Sequence, residues 1–343
     1  MKIFRGLRHP GIAPGCALTI GNFDGVHRGH QAMLALLKNE AAHRGVASCV
    51  LTFEPHPRDY FATAFAKPDL ELARISTLRD KLAELARCGV DQVVVLPFNA
   101  ALANLTAEDF IRNVLVDGLR VRYVLTGDDF RFGARRTGDY ALLDAAGVEH
   151  GFDVARMQSY QVHSIRVSST EVRAALAEGR MDDAAALLGR SYAISGHVVH
   201  GRRLGRTLGE SAPGRGDGFR TLNLRFERRA HVWRPAASGI FAVQVHGLTK
   251  RPLPGVANLG VRPSIGPCDV NGGRVLLETH CLEWPFGELG GAQAYGKIVR
   301  VDLLCKLHDE RRYPSLAVLT EGIAQDRADA QAFFAERASS AQA

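Results

Sequence analysis

Hydrophobic residues in the first half of the chain fall into short, nearly unbroken runs, separated by longer stretches where they recur every three or four positions. The runs Cys16–Ile20 (CALTI), Ala47–Phe53 (ASCVLTF), Gln92–Leu96 (QVVVL) and Tyr123–Thr126 predict buried strands. Between them, Gly29–His43 and Leu78–Cys88 carry apolar residues at helical spacing and stop at Gly45 and Gly89, with Thr77 placed just before the second. Thr106 with Asp109 resembles a capping box and opens a further helix ending near Val116. Apolar strands alternating with helices predict an α/β layer structure, a parallel sheet covered on both faces.

The pattern changes near Gly189. After a helical stretch at Asp182–Leu188, candidate strands become short and are separated by Gly and Pro: Tyr192–Val199, Thr221–Phe226, Gly239–Val245, Val256–Leu259, Val275–Leu282 and Lys297–Leu304. A closing helix runs from Ser315 toward Phe334. Such an order predicts a small closed β-barrel with a terminal helix. A boundary at 185–190 then gives two domains, 1–185 and 186–343, which suits 343 residues at roughly 100–200 per domain.

Composition narrows the partners. Hydrophobic content of 46% and charged content of 23% match a soluble globular protein. No apolar run approaches the roughly 18 residues of a membrane span, and Pro10, Gly11 and Pro14 interrupt a start that lacks the apolar centre of a secretory signal. Six cysteines without CxxC spacing read as reduced thiols of a cytoplasmic protein. The balance of 43 Lys+Arg against 36 Asp+Glu suits anionic ligands. Yet the excess is spread out, and 7% aromatic residues supply no stacking platform for bases, which argues for small molecules over nucleic acid. A monomer or weak homo-oligomer is expected.

The chemistry concentrates in a few stretches. GNFDGVHRGHQ (21–31) leaves the first strand, turns on glycines 21, 25 and 29, and places His27 and His30 at a helix start. Free N–H groups and the dipole favour an anion there, and two imidazoles add donors that can carry charge. His56, between Pro55 and Pro57 at the end of the second strand, serves either ligand contact or loop packing. TGDDFRFGARRTGD (126–139) has the acids and basic residues of a binding loop; Phe130 and Phe132 need a partner, the core or a flat ligand. Asp128 and Asp129 suit a ribose, an amine or a metal, or a solvated turn. RVSSTEVRAALAEGR (166–180) brings Ser168, Ser169 and Thr170 to a second helix start, where one hydroxyl would suffice as cap, with Arg173 about one turn in.

In the second half, HGRRLGRTLG (200–209) is a basic turn whose Gly201 and Gly205 suit phosphates. Thr221 and Asn223 alternate along a strand and so share one face, a hydroxyl-plus-amide site for a cation. Glu278 in the apolar strand VLLETH is paired, edge-exposed or kept as a base.

GNFDGVHRGH, TFEPHP, GDDFRFG and VSSTEVR, in this order and spacing, resemble the adenylyltransferase half of the bacterial bifunctional riboflavin kinase/FAD synthetase family. The first and last also resemble the HxGH and ISSTxxR signatures of the nucleotidylyltransferase superfamily, with Val167 in place of Ile. GHVVHGRRLGRTLG, GVANLGVRPS, LETH and YGK keep the order of the flavokinase module, so the resemblance covers nearly the whole chain. It implies a Rossmann-like nucleotidylyltransferase domain followed by a six-stranded flavokinase-type barrel with a terminal helix. It implies further that riboflavin and ATP give FMN, and that FMN and a second ATP give FAD and pyrophosphate, both steps with Mg²⁺. On this resemblance His27 and His30 act on ATP phosphates beside Gly21, Asn22, Phe23 and Gly25, while Ser168, Ser169, Thr170 and Arg173 hold pyrophosphate. Asp129, Phe130, Phe132 and Arg262 bind flavin or nucleotide, Thr221 and Asn223 hold Mg²⁺ and phosphates, and Glu278 is the base for the riboflavin 5′-hydroxyl. Two departures stand out: ESAPGRGDG (210–218) opens the usual LGFPTAN run and leaves Arg220 in place of proline, and His308 stands where arginine is frequent. The alternative they allow is an FMN adenylyltransferase with impaired or lost kinase activity.

Overall fold

All four predicted strands of the first half form, within a residue at their C-terminal ends, and two more flank them: β1 Lys2–Arg5, β2 Cys16–Ile20, β3 Ala47–Glu54, β4 Gln92–Pro97, β5 Tyr123–Gly127 and β6 Asp153–Met157. β1 and β6 are half-exposed edge strands without a continuous apolar run, which is why the pattern does not announce them. The computed structural model describes residues 1–158, 160–162, 165–200, 221–225, 234–260, 276–283 and 294–340. They belong to two compact units, Met1–Leu72 with Lys81–Ser169, and Ala73–Asp80 with Thr170–Ala343.

In the first unit the six strands are parallel, in the order β1-β4-β3-β2-β5-β6. Alternate residues of each strand feed opposite cores. Cys16, Leu18, Cys49, Leu51, Val94 and Leu96 face one layer with Phe110, Phe132 and Leu143. Ala17, Val50, Val93, Val95 and Leu125 face the other with Leu34, Leu37 and Leu85. The helices are α1 Arg28–His43, α2 Pro57–Ala64, α3 Leu78–Arg87, the short α4 Ala100–Ala103 and α5 Ala107–Phe110, and α6 Tyr140–His150. The single helix expected from Thr106 to Val116 is instead α5 running into a π-helical turn, Ile111–Val116. Asp117 N bonds back five residues to Arg112 O, and the widened turn still buries Ile111, Val114 and Leu115. A two-stranded ribbon, β7 Gln161–Val162 and β8 Ile165–Arg166, precedes α7 Ser169–Ala177 and α8 Met181–Leu188.

In the second unit the barrel closes as β10-β13-β12-β11-β14-β9, every pair antiparallel. Its strands are β9 Tyr192–Val199, β10 Leu222–Arg225, β11 Gly239–His246, β12 Leu253–Gly260, β13 Leu276–Cys281 and β14 Ile298–His308. The row Leu222, Thr279, Ala257, Phe241 crosses four strands on one face, fully buried. On the opposite face Ile240, Ala242 and Val256 are covered by Ala330 and Phe333 of α9 Leu316–Ser340. His308 bonds through Nε2 to Asp326 of that helix at 2.7 Å. Among the described residues no helix is long and apolar enough to cross a membrane.

Candidate active sites

From β2 the chain moves to one side through β3 and β4, then returns to pair β5 on the other side of β2. The C-terminal ends of β2 and β5 therefore form the switch point at which open α/β sheets take their ligands. The loops that leave those ends are Gly21–His27 and Asp128–Gly133, two of the stretches singled out by their residues.

The first loop is a tight, tied turn. Phe23, Gly25 and Val26 have φ of 49°, 84° and 42°, and for Phe and Val this conformation costs roughly 1–3 kcal/mol each. The surroundings hold it: Gln31 Nε2 donates to Val26 O at 2.9 Å, Ser169 Oγ to Asp24 O at 3.1 Å, and Phe23 is sealed beneath the turn. Of the three glycines expected to free the backbone, Gly25 alone has a positive φ. Gly21 and Gly29 sit where space is tight, since a Cβ there would lie 3.1 Å from the Phe23 ring and 3.3 Å from the His27 ring.

His27 is the N-cap of α1, its Nδ1 accepting from His30 N at 3.3 Å. A neutral His27 therefore carries its ring proton on Nε2. The His27 and His30 rings stack with centroids 3.7 Å apart, and His30 also touches Phe23. His30 Nδ1 is buried and makes no hydrogen bond. Burial, then the neighbouring His27, then Lys81 hold the His30 pKa well below the usual histidine value. In the ligand-free state this lowering favours the neutral imidazole at His30.

That neutrality has a pH signature. Below the ordinary histidine value near 6.5 the unfolded chain takes up a proton that folded His30 refuses, so stability falls as pH drops. Between about pH 7.5 and about pH 5.5, the melting temperature of His30→Asn should fall less than that of the wild type. Parallel curves would contradict the assignment.

The remaining predicted residues separate. The Ser169 hydroxyl is spent on Asp24 O, and Val167 O lies 3.4 Å from where a Cβ on Gly29 would be, so the starts of α1 and α7 adjoin. Ser168 is half-buried, Thr170 is exposed, and Arg173 Nε donates to Ala73 O at 2.8 Å. In the second loop the core claims the phenylalanines: Phe132 is 7% exposed against Phe110, and Phe130 stacks on it at 5.4 Å. Phe132 thus supports the loop, whose exposed polar side chains are Asp128, Asp129 and Arg131. His56 caps α2 and is buried, which gives it a packing role in this loop. Gly201, Gly205, Arg262, Arg220 and the 210–218 stretch lie outside the described residues.

In the barrel, Asn223 and Asn258 stand directly opposite Glu278 on either side, so the three share one face. Asn223 Nδ2 reaches Thr221 Oγ1 at 3.4 Å, which confirms the shared face of that pair. The oxygens Asn223 Oδ1 and Asn258 Oδ1 are buried without a hydrogen bond. Hard oxygen donors of this kind, with few protein ligands, fit a magnesium ion that keeps phosphate oxygens and waters in its shell.

Three residues escaped the sequence reading. Lys81 on α3 is 1% exposed, and its Nζ donates to Asn22 O at 3.1 Å and Thr52 Oγ1 at 3.3 Å. Its signal was present: Lys81 interrupts the apolar stripe Leu78, Leu82, Leu85. Thr52 lay inside a strand and Asn258 inside GVANLG, with no local sign of the register that gives them neighbours.

A family model described as FAD synthetase matches residues 9–171, and one described as riboflavin kinase matches residues 188–334. The chain is 44% identical over 336 residues to the bifunctional riboflavin kinase/FMN adenylyltransferase of Escherichia coli (strain K12), covering 97% of this chain and 98% of that protein. The proteins so described in Pseudomonas fluorescens and Haemophilus influenzae are 41% and 38% identical, covering 98% and 97% of this chain and 99% of each relative. A solved structure described as the macrolide-efflux protein of Streptococcus pneumoniae shares the fold, with TM-score 0.67 at 22% identity over 96% of this chain and 98% of its own.

Proposed function

Because the chain belongs to the bifunctional riboflavin kinase/FMN adenylyltransferase family, we propose that residues 1–185 carry adenylyl transfer and residues 186–343 the kinase. The protein is an enzyme with both activities, phosphorylating riboflavin to FMN with ATP and adenylylating FMN to FAD. The reading in which only the transferase works gives way, since the riboflavin kinase match runs through residues 188–334 and so across the altered segment.

In adenylyl transfer an FMN phosphate oxygen attacks the α-phosphorus of ATP, and the bond to pyrophosphate breaks. The attacking group is already anionic, so the site needs no strong base. His27 Nε2–H and the His30 ring donate to the phosphates, and charge arriving on the ligand favours the imidazolium form that burial otherwise suppresses. Gly21, Asn22, Phe23 and Gly25 shape the turn, Ser168 and Ser169 open the helix that faces the departing pyrophosphate, and Asp129 with Phe130 meets the flavin nucleotide. The observation that carries this half is the stacked histidine pair on a strained turn at the sheet's switch point.

In the kinase step Glu278 takes the proton of the riboflavin 5′-hydroxyl as its oxygen attacks the γ-phosphorus of ATP, and the bond from that phosphorus to the departing ADP breaks. Thr221 and Asn223 would hold Mg²⁺ and the ATP phosphates; Gly201, Gly205 and Arg262, outside the described residues, are assigned to phosphate and flavin by their motifs. When bound, Mg²⁺ neutralises charge developing on the phosphates. Among the described residues Cys16, Cys49, Cys88, Cys281 and Cys305 form no disulfide, which suits a reducing cytoplasm, with small molecules as partners.

Flavins separated by chromatography after incubation with riboflavin, ATP and Mg²⁺ should show FMN first and FAD later, and chelating the metal should stop both. Riboflavin left unchanged while supplied FMN becomes FAD would refute the kinase half.

A further inference from the structure

Asn258, on β12, has no part in the proton transfer at Glu278 or in the Thr221–Asn223 cation site. Its Oδ1 is nevertheless buried without a hydrogen bond, a state native proteins seldom keep, because an unpaired acceptor withdrawn from water is costly. In register it lies directly opposite Glu278 on one side and Ile240 on the other. Ile240 is apolar and packs with Ala242 and Val256 beneath Ala330 and Phe333 of α9, so that side offers no donor. The donor therefore arrives over Glu278. An amide oxygen accepts either a cation or a hydroxyl, and strand spacing separates the two. Asn223, with its Nδ2 3.4 Å from Thr221 Oγ1, stands on the far side of Glu278. Strands about 4.8 Å apart put β12 roughly 9.6 Å from β10. A magnesium ion about 2.1 Å from the β10 oxygens is therefore out of reach of Asn258.

We propose that Asn258 reads the substrate of the kinase, its Oδ1 accepting a hydrogen bond from a hydroxyl of the ribityl chain of riboflavin. The proposal rests on the reading that Glu278 takes the 5′-hydroxyl proton. That hydroxyl then sits over β13, and the chain it belongs to carries further hydroxyls on the neighbouring carbons. The cation and the phosphates stand on the β10 side, so the chain leaves across β12, where Asn258 is the polar side chain in register. A flavin without the hydroxylated chain leaves the amide oxygen unpaired and is rejected, since a site built to bond a hydroxyl discriminates strongly against its absence. A chain pinned next to its reacting oxygen also keeps that oxygen aligned with the γ-phosphorus.

The test is Asn258→Leu, which keeps a side chain of similar shape and removes the acceptor. We expect kcat/KM for riboflavin to fall about 10- to 100-fold, and riboflavin affinity, read from quenching of its fluorescence, to weaken in parallel. The KM for ATP, the Mg²⁺ dependence and FMN-to-FAD conversion should hold, and the melting temperature should stay or rise, because an unpaired buried oxygen has gone. Of the 2′-, 3′- and 4′-deoxy analogues of riboflavin, one should be as poor for the wild type as riboflavin is for the variant, and should lose nothing more on the variant. Riboflavin kinetics and affinity within about twofold of the wild type, a shifted Mg²⁺ requirement, or a further loss with all three analogues overturns the proposal. So does a lowered melting temperature with riboflavin affinity unmoved. If the Leu variant does not fold, Asn258→Ala withdraws the same oxygen and should show the same selective loss; wild-type riboflavin affinity overturns it. Glu278→Gln run alongside separates the two layers: a kinase rate that survives it refutes the placement of the riboflavin hydroxyl at Glu278, whereas a dead Glu278→Gln beside a fully active Asn258→Leu refutes only the role of Asn258.

Discussion

Replacing His30 with alanine should stop FAD formation while FMN made from riboflavin accumulates. The imidazole is one of two stacked rings at the end of β2, and losing one preorganised donor to a developing charge typically costs about 10²–10³ in kcat. His30 is a cleaner target than His27, whose ring caps α1, so that His27→Ala would lose about 1 kcal/mol of helix stability along with any chemistry. Removing the His30 ring leaves the cap acceptor in place and takes away an atom, Nδ1, that has no hydrogen bond. Riboflavin phosphorylation, measured on the same sample, reports that the protein is folded. Loss of both steps from a folded variant would show that the activities are not divided as proposed.

Glu278→Ala should give the converse, no FMN from riboflavin but undiminished conversion of supplied FMN to FAD. Removing a positioned general base commonly costs about 10²–10⁴ in rate. Glu278 sits in register between Asn223 and Asn258, whose side-chain oxygens are buried without a hydrogen bond. Those two oxygens suit a cation. Glu278→Gln preserves the side chain's volume and should be nearly as inactive, which separates proton acceptance from packing. A Gln variant with wild-type kinase rate would remove Glu278 from the role of base.

Much of this organisation was legible before any coordinates. CALTI, ASCVLTF and QVVVL announce buried strands because a strand covered on both faces has no polar side to show. The GNFDGVHRGH turn and the VSSTEVR helix start are legible because caps and turns are made by residues next to one another in sequence. Glu278 stood out because a carboxylate in an apolar strand is unusual wherever the strand lies. The half-exposed β1 and β6 were hidden because an edge strand can carry polar residues at most positions.

Other matters depended on which strands neighbour one another. No local pattern states that β2 and β5 are adjacent, yet that adjacency turns two separate loops into one ligand-binding end of the sheet. Nor does it state that Asn258 and Asn223 flank Glu278, that Phe132 belongs to the core, or that the Lys81 ammonium lies beneath the Asn22 carbonyl. Sequence by itself determined the elements, the two-part architecture and the residue types available for phosphate chemistry, since burial period and capping act over a few residues. Tertiary structure alone decided which of those residues meet, which ring stays neutral and which charge is buried, because proximity, register and desolvation arise only when distant segments pack together.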